Sequence, residues 1–479
     1  MKDLFIKCFI SIVYFFMFCC CNKNLPEGRS NSITEPEVLL KSKTKSSISF
    51  DVTNEDAYRF SLAHHPNGKI SIEPLSSGED TLVYVCNFEP EGWMIISGDR
   101  RVSPIIAESN EGRFEINDLP DGLAIWLDSI ADDLLSLKKD LSFGENEHTD
   151  FWKFFSTDKA QSGQITKSDS EMKWYVIEYG PYETTIIEDN DIVPHLILTK
   201  WGQGSPWNSK CPIDLSTSDN NRCYLGCIAT AVGQLLTFTH NNLGKPNDMY
   251  HLISCSKSTV NGKTHDIGFT RGLKVIDSYR WDLMPADSNS LALKIGFAGD
   301  LMLDIGNRFG MKYSGSGSGA NMSSSAMYNY YDINYSESSY NSSTVQLNLS
   351  DGLPVIVTAY SQKTGIIFPT YSRGHAWLID GLHQTTRRYE FIKRFEYSEN
   401  WYQYDECYDT FEEIQNVYGV SSPTDYYRFY ITNNYNYLLM NWGYDGDYDN
   451  AYYSTLSDAA WNANSGNHLY KRKIYYDFN

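Results

Sequence analysis

The sequence is short of positive charge. Its 479 residues hold 40 Lys and Arg against 60 Asp and Glu, a formal net charge of -20. That deficit argues against a nucleic-acid partner, because phosphate recognition needs a basic face. Cysteine is sparse, ten in all, and no CxxC pair occurs. Cys223, Cys227 and His240 are poorly spaced as metal ligands, so no metal is expected. Gly315–Ala320 fits GxGxxA only on the surface, since the strand and acidic partner of a dinucleotide fold are missing, and no cofactor is expected. Asp445–Asp449 alternates like a calcium loop, but Asn450 stands where glycine belongs and Leu456 where glutamate belongs. The apolar run Phe9–Phe18 is too short to cross a bilayer comfortably as a permanent helix.

What is present begins with aromatics, including 35 tyrosines, and enough length for two sizeable cores. Lys2 and Lys7, the apolar run and Cys19-Cys20-Cys21 together resemble a bacterial lipoprotein signal. The resemblance implies lipidation, with Cys21 favoured over Cys19 and Cys20, and places the chain in the bacterial cell envelope on a lipid anchor. A plain secretory signal or an uncleaved anchor is the alternative.

The segment that organises the rest is Gly226–Leu236. Ile228, Val232, Leu235 and Leu236 recur at helical spacing, and Cys227 stands at the helix start. There the macrodipole and unpaired N–H groups favour a thiolate. A buried structural cysteine is the plainer reading of this segment alone. A nucleophile needs a base, an orienting group and oxyanion donors. His375 in a strand ending at Gly381, Asn441-Trp442-Gly443 after an apolar run, and Gln203 upstream are candidates for these roles. Cys211 and Cys223 are candidates to close a small loop ahead of the nucleophile, which sequence cannot establish.

The words around these residues are WGQGSPWN at Trp201–Asn208, GCIATAVGQ at Gly226–Gln234, GHAWLIDG at Gly374–Gly381 and NWGYDG at Asn441–Gly446. In this order they resemble the motifs of the streptopain family of bacterial papain-like cysteine peptidases. The resemblance implies an α+β fold: a papain-like domain preceded by a small α+β propeptide. It implies Cys227 as nucleophile and His375 as base, forming a thioester acyl-enzyme, with Gln203 and the Cys227 N–H as oxyanion hole. Asn441 and Trp442 are supporting candidates, Asn441 by bonding the imidazole and Trp442 by covering it. Protein or peptide substrates follow, with the propeptide as intramolecular inhibitor of an exported zymogen. A catalytically silent binding lipoprotein, or an amidase or transpeptidase on the same dyad, is the competing reading.

Composition divides the chain. Residues 1–21 read as signal and 22–47 as a polar tether. The polar segment 156–171 reads as an exposed linker, and the family resemblance implies the propeptide-like domain over 48–155 and the peptidase over 172–479. Strands are predicted over 81–88 and 92–98, and a helix over 120–138. The stretch Leu382–Tyr437 departs from the family pattern and is predicted to form an extra hairpin or flap beside the cleft.

Overall fold

Helix α1 (Asn54–His64) opens on a capping box, the Thr53 hydroxyl accepting from the Asp56 N–H and the Asp56 carboxylate from the Thr53 N–H. A meander follows: β1 (Ile70–Ser77), β2 (Asp80–Phe88), β3 (Trp93–Ser97) and β4 (Ile105–Ser109). Helix α2 (Asp121–Lys139) starts behind Pro120. It buries Leu123, Leu127, Ile130, Leu134 and Leu137, one stripe at helical spacing, and ends on Lys138 and Lys139, the charge its carbonyl end favours. Helix α3 (Glu147–Trp152) closes this N-terminal part.

Next come β5 (Lys173–Val193) and helix α4 (Cys227–Leu243), which Gly244 ends in the left-handed region at φ 68°. Strands β6 (Ser256–Val260) and β7 (Lys263–Ile267) pair with each other. Helices α5 (Ala292–Arg308) and α6 (Ser324–Tyr331), strand β8 (Ser336–Ser339), helix α7 (Ser342–Ser350) and strand β9 (Val355–Tyr360) lead to β10 (Gly374–Ser398). The chain ends with β11 (Cys407–Tyr408), helix α8 (Phe411–Tyr418), β12 (Tyr427–Asn441), β13 (Tyr452–Ser454) and β14 (Lys473–Tyr476).

The computed structural model describes residues 49–66, 68–140, 142–155, 172–245, 256–260, 263–267, 279–360, 374–398, 406–455 and 472–479. The candidate lipidation site Cys21, its neighbours Cys19 and Cys20, the tether 22–47 and the linker 156–171 lie outside them.

One sheet of twelve strands runs through both halves of the sequence, in the order β1-β2-β3-β4-β13-β12-β10-β9-β14-β8, with β5 on β10 and β11 on β5. The join is β4 on β13, Ala107 opposite Tyr453 and Glu108 opposite Tyr452. The N-terminal strands therefore continue the sheet of the later strands, and Phe50–Asn479 forms one compact unit. The two cores expected from length are not divided at the linker. One core joins Leu123, Trp126 and Ile130 of α2 to Trp377, Met440 and Trp442. A second lies wholly past the linker, where α4 meets α5.

The Leu382–Tyr437 stretch does form a hairpin, built by extending β10 and β12 well past the cleft. Strand β10 is 25 residues long, pairing with β12 along one edge and the 21-residue β5 along the other. Burial alternates along β12 from Arg428 to Tyr437, as it must on a ribbon covered on one side only, and is complete from there to Asn441. A third core fills that covered side, between α1, α3 and the hairpin.

Candidate active site

Gly226 precedes helix α4 at φ 92°. A side chain there is excluded twice, by that φ and by crowding, since a Cβ would lie 2.8 Å from the Met311 sulfur and 2.9 Å from the Ser318 carbonyl oxygen. The glycine thus sets Cys227 as the first residue of α4. Cys227 is half-buried in a cavity of about 490 Å³ that Gln203, Lys312, Met322, His375 and Asp121 also line.

Strand β9 holds β10 in register, Ala359 opposite His375, and so brings the imidazole to the sulfur. Burial pushes the Cys227 thiol up. The His375 charge and hydrogen bond, with the Ala376 and Ile228 N–H groups, pull it further the other way, and it ends below the ordinary thiol range. Burial likewise lowers His375, but Cys227 raises it more, aided by Asp121 and the Trp442 carbonyl, and it ends above an ordinary histidine. Opposite shifts of this kind stabilise a thiolate beside an imidazolium.

His375 Nε2 lies 3.3 Å from the Trp442 carbonyl oxygen. That oxygen occupies the orienting place for which Asn441 was a candidate. The Asn441 amide is spent elsewhere: it exchanges hydrogen bonds with Gln234 at 3.0 and 3.2 Å, donates to the Thr199 carbonyl and accepts from the Gly443 N–H. Asn441 therefore ties β12 to α4 and to the chain before Trp201, and its side chain makes no hydrogen bond to His375. The Trp442 ring is buried, 5.3 Å from Trp377, and donates to the Tyr453 hydroxyl at 3.1 Å. Its backbone N–H donates to Asp449. Gln203 lines the cavity with a buried amide nitrogen that has no partner among the described residues. Such an orphan donor is costly unless a ligand uses it.

Several site features carry no sequence signal of their own. Asp121, the first residue of α2, reaches the cavity from the N-terminal half, and its backbone N–H donates to the Tyr444 hydroxyl at 3.3 Å. The Tyr444 ring lies 5.5 Å from His375. Asp445 faces away and accepts from Trp207 Nε1. The Gly315–Ala320 loop lines the cavity through Gly317–Ala320. Cys211 and Cys223, the candidate loop-closing pair, are both buried free thiols.

The Peptidase C10 family model matches residues 201–453, more than half of the chain, and the Spi protease inhibitor model matches residues 43–134. Streptopain of Streptococcus pyogenes is 22% identical over 313 residues, 62% of this chain and 68% of its own. The thiol protease/hemagglutinin PrtT of Porphyromonas gingivalis is 24% identical over 159 residues, 33% of this chain and 15% of its own. Among solved structures, a prointerpain A fragment from Prevotella intermedia covers 85% of this chain and 98% of its own at 18% identity, with a TM-score of 0.46. The chain belongs to the Peptidase C10 family: it is a cysteine peptidase preceded by an inhibitor-like domain, the organisation of a zymogen.

Proposed function

We propose that the protein is an endopeptidase acting through a Cys227–His375 dyad, exported as a zymogen and held in the bacterial envelope by a lipid on Cys21. The Cys227 thiolate attacks the scissile carbonyl carbon, and the carbonyl electron pair moves to oxygen. Gln203 Nε2–H and the Cys227 N–H donate to that oxyanion. The imidazolium of His375 gives its proton to the amine as the C–N bond breaks, leaving a thioester. His375 then takes a proton from water, whose oxygen attacks the thioester and releases the acid and the thiolate. The Trp442 carbonyl accepts from Nε2–H, which leaves Nδ1 as the nitrogen that exchanges the proton.

The observation that carries this reading is the buried, unpartnered Gln203 amide in the cavity that holds Cys227 and His375. Latency is supported by Asp121 and Gly122, which the N-terminal half brings against His375. The deciding experiment compares the full chain with Cys227→Ala on casein. The parent should shorten with time and gain activity, and the variant should do neither. Casein cleavage by the variant, contaminants excluded, would overturn the dyad. Transfer to an added amine without hydrolysis would point to a transpeptidase. Detergent-phase partitioning that survives replacement of Cys19, Cys20 and Cys21 would remove the lipid anchor.

A further inference from the structure

Among the places where the N-terminal half meets the rest of the chain, which include the core that α2 shares with Trp377 and Trp442, two bear on activity. One is the cleft, where α2 begins against His375. The other is the face of the β10–β12 hairpin, here called the arm. Strand β10 serves both: His375 stands near its start and Arg387 about 40 Å further along it.

At the second place Arg387 Nη2 donates to both oxygens of Glu108, on β4, at 2.8 Å each. The side chains of the pair are only 9% and 10% exposed. The Tyr437 hydroxyl, on β12, donates to the same carboxylate. Around this pair Phe60, Phe151, Trp152 and Phe155 of the N-terminal half pack with Tyr389, Phe391, Tyr435 and Tyr437 of the arm. The Phe151 and Tyr389 rings are 5.2 Å apart, and the Tyr389 hydroxyl bonds Tyr435 at 2.7 Å and His64 Nε2 at 3.2 Å. The β4–β13 pairing adds backbone hydrogen bonds beside them.

The order of these residues in the chain matters. Every N-terminal contributor, from Val52 to Phe155, precedes the segment 156–171, and every arm contributor follows it. Among the described residues, no strand crosses that segment. The surface is also of the kind that stays associated: an aromatic centre, a desolvated two-hydrogen-bond ion pair and an added strand.

Resting on the peptidase reading above, we infer that the arm is a docking surface for the N-terminal domain that works without the covalent link. The severed domain stays seated on the arm and keeps Asp121 and Gly122 in the cleft. Release from the arm, and not the cut itself, is the step that yields activity. The partner the arm selects is a strand-bearing domain that presents a carboxylate to Arg387 and aromatic rings to Tyr389 and Phe391.

The test uses the full chain with a recognition site for an unrelated protease placed within residues 156–171. In a Cys227→Ala background the cut chain should run on gel filtration as one species holding both fragments. With Cys227 intact, cutting alone should leave activity within about twofold of the uncut chain, and destroying the N-terminal fragment should then raise it. Pairing Arg387→Met with Glu108→Gln, so that no charge is left buried alone, should weaken the association on the order of a hundredfold and let activity appear on cutting. Should that double variant fail to fold, co-elution of the unsubstituted fragments decides the matter. Fragments that separate as soon as the chain is cut overturn the inference. Failure of the peptidase reading is visible separately, as absence of Cys227-dependent activity from the freed peptidase fragment, because co-elution is read without activity.

Discussion

Gly122 lies so close to His375 that a methyl group added at its Cα would sit 2.5 Å from Cδ2 and 2.9 Å from Nε2 of the imidazole. Real Cβ atoms do not approach so closely, and the Trp442 ring, also 2.9 Å away, bars escape on that side. Gly122→Ala should therefore push the start of α2 out of the cleft. The expected outcome is roughly tenfold higher activity of the uncut chain on a short fluorogenic peptide, with kcat/KM of the matured enzyme unchanged. A variant as latent as its parent would show that this contact does not maintain latency.

Gln203→Leu should act on the transition state alone. Loss of one oxyanion donor lowers kcat about 100- to 1,000-fold, with KM moving little. Alkylation of Cys227 by iodoacetamide should stay at the parental rate, since no oxyanion forms there. A loss of alkylation equal to the loss of kcat would mean that Gln203 shapes the thiol's surroundings instead.

The pH response of that alkylation follows from the opposed shifts at the site. Cys227 falls below the ordinary thiol range and His375 rises above the ordinary histidine range, so thiolate and imidazolium coexist between them. Reactivity should persist well below the pH at which a free thiol loses it. In His375→Gln the upward push of burial is unopposed by a cation, and the rate at about pH 6 should drop more than tenfold. Superimposable pH profiles would refute the pair.

Asp449 offers a second titration, away from the sulfur. Burial drives it up to about 7, against the Trp442 N–H, with Asp380 adding to the rise and His195 and Lys200 opposing it. A carboxyl raised on folding binds more protons folded than unfolded, so its contribution to stability is lost as pH rises towards 7. Asp449→Asn keeps an acceptor for Trp442 and cannot ionise. Its melting temperature relative to the parent should therefore climb between about pH 5 and about pH 8. A constant difference would place the Asp449 ionisation outside that interval.

The family was legible because its motifs are short contiguous words. Cys227, His375 and Gln203 each sit in a motif whose neighbours also shape the turn or strand that carries them. Asn441 shows the limit of such reading: the motif names the residue, but the atom that orients His375 is the backbone carbonyl of Trp442, which no side-chain code specifies. Helix α2 was read nearly to its ends from its apolar stripe, yet its contact with His375 joins residues remote in sequence. Strand β1 was missed because Pro74 and its polar neighbours break the alternation, which an edge strand tolerates. The β4–β13 join was not legible either. Periodicity tells which face of a strand is buried and is silent about which edge meets which.

That join also fixes an order of events in time. Its two sides, Ala107 and Tyr453, stand near opposite ends of the chain. Synthesis runs from the N-terminus, so the meander and α2 emerge before Cys227, and Cys227 before His375. Strands β10 and β12, and with them His375 and the Trp442 carbonyl, can form only when the inhibitor-like half already exists. At no stage does the ribosome release a finished active site without its restraint, and a closure spanning so much of the chain should be among the slowest steps of folding.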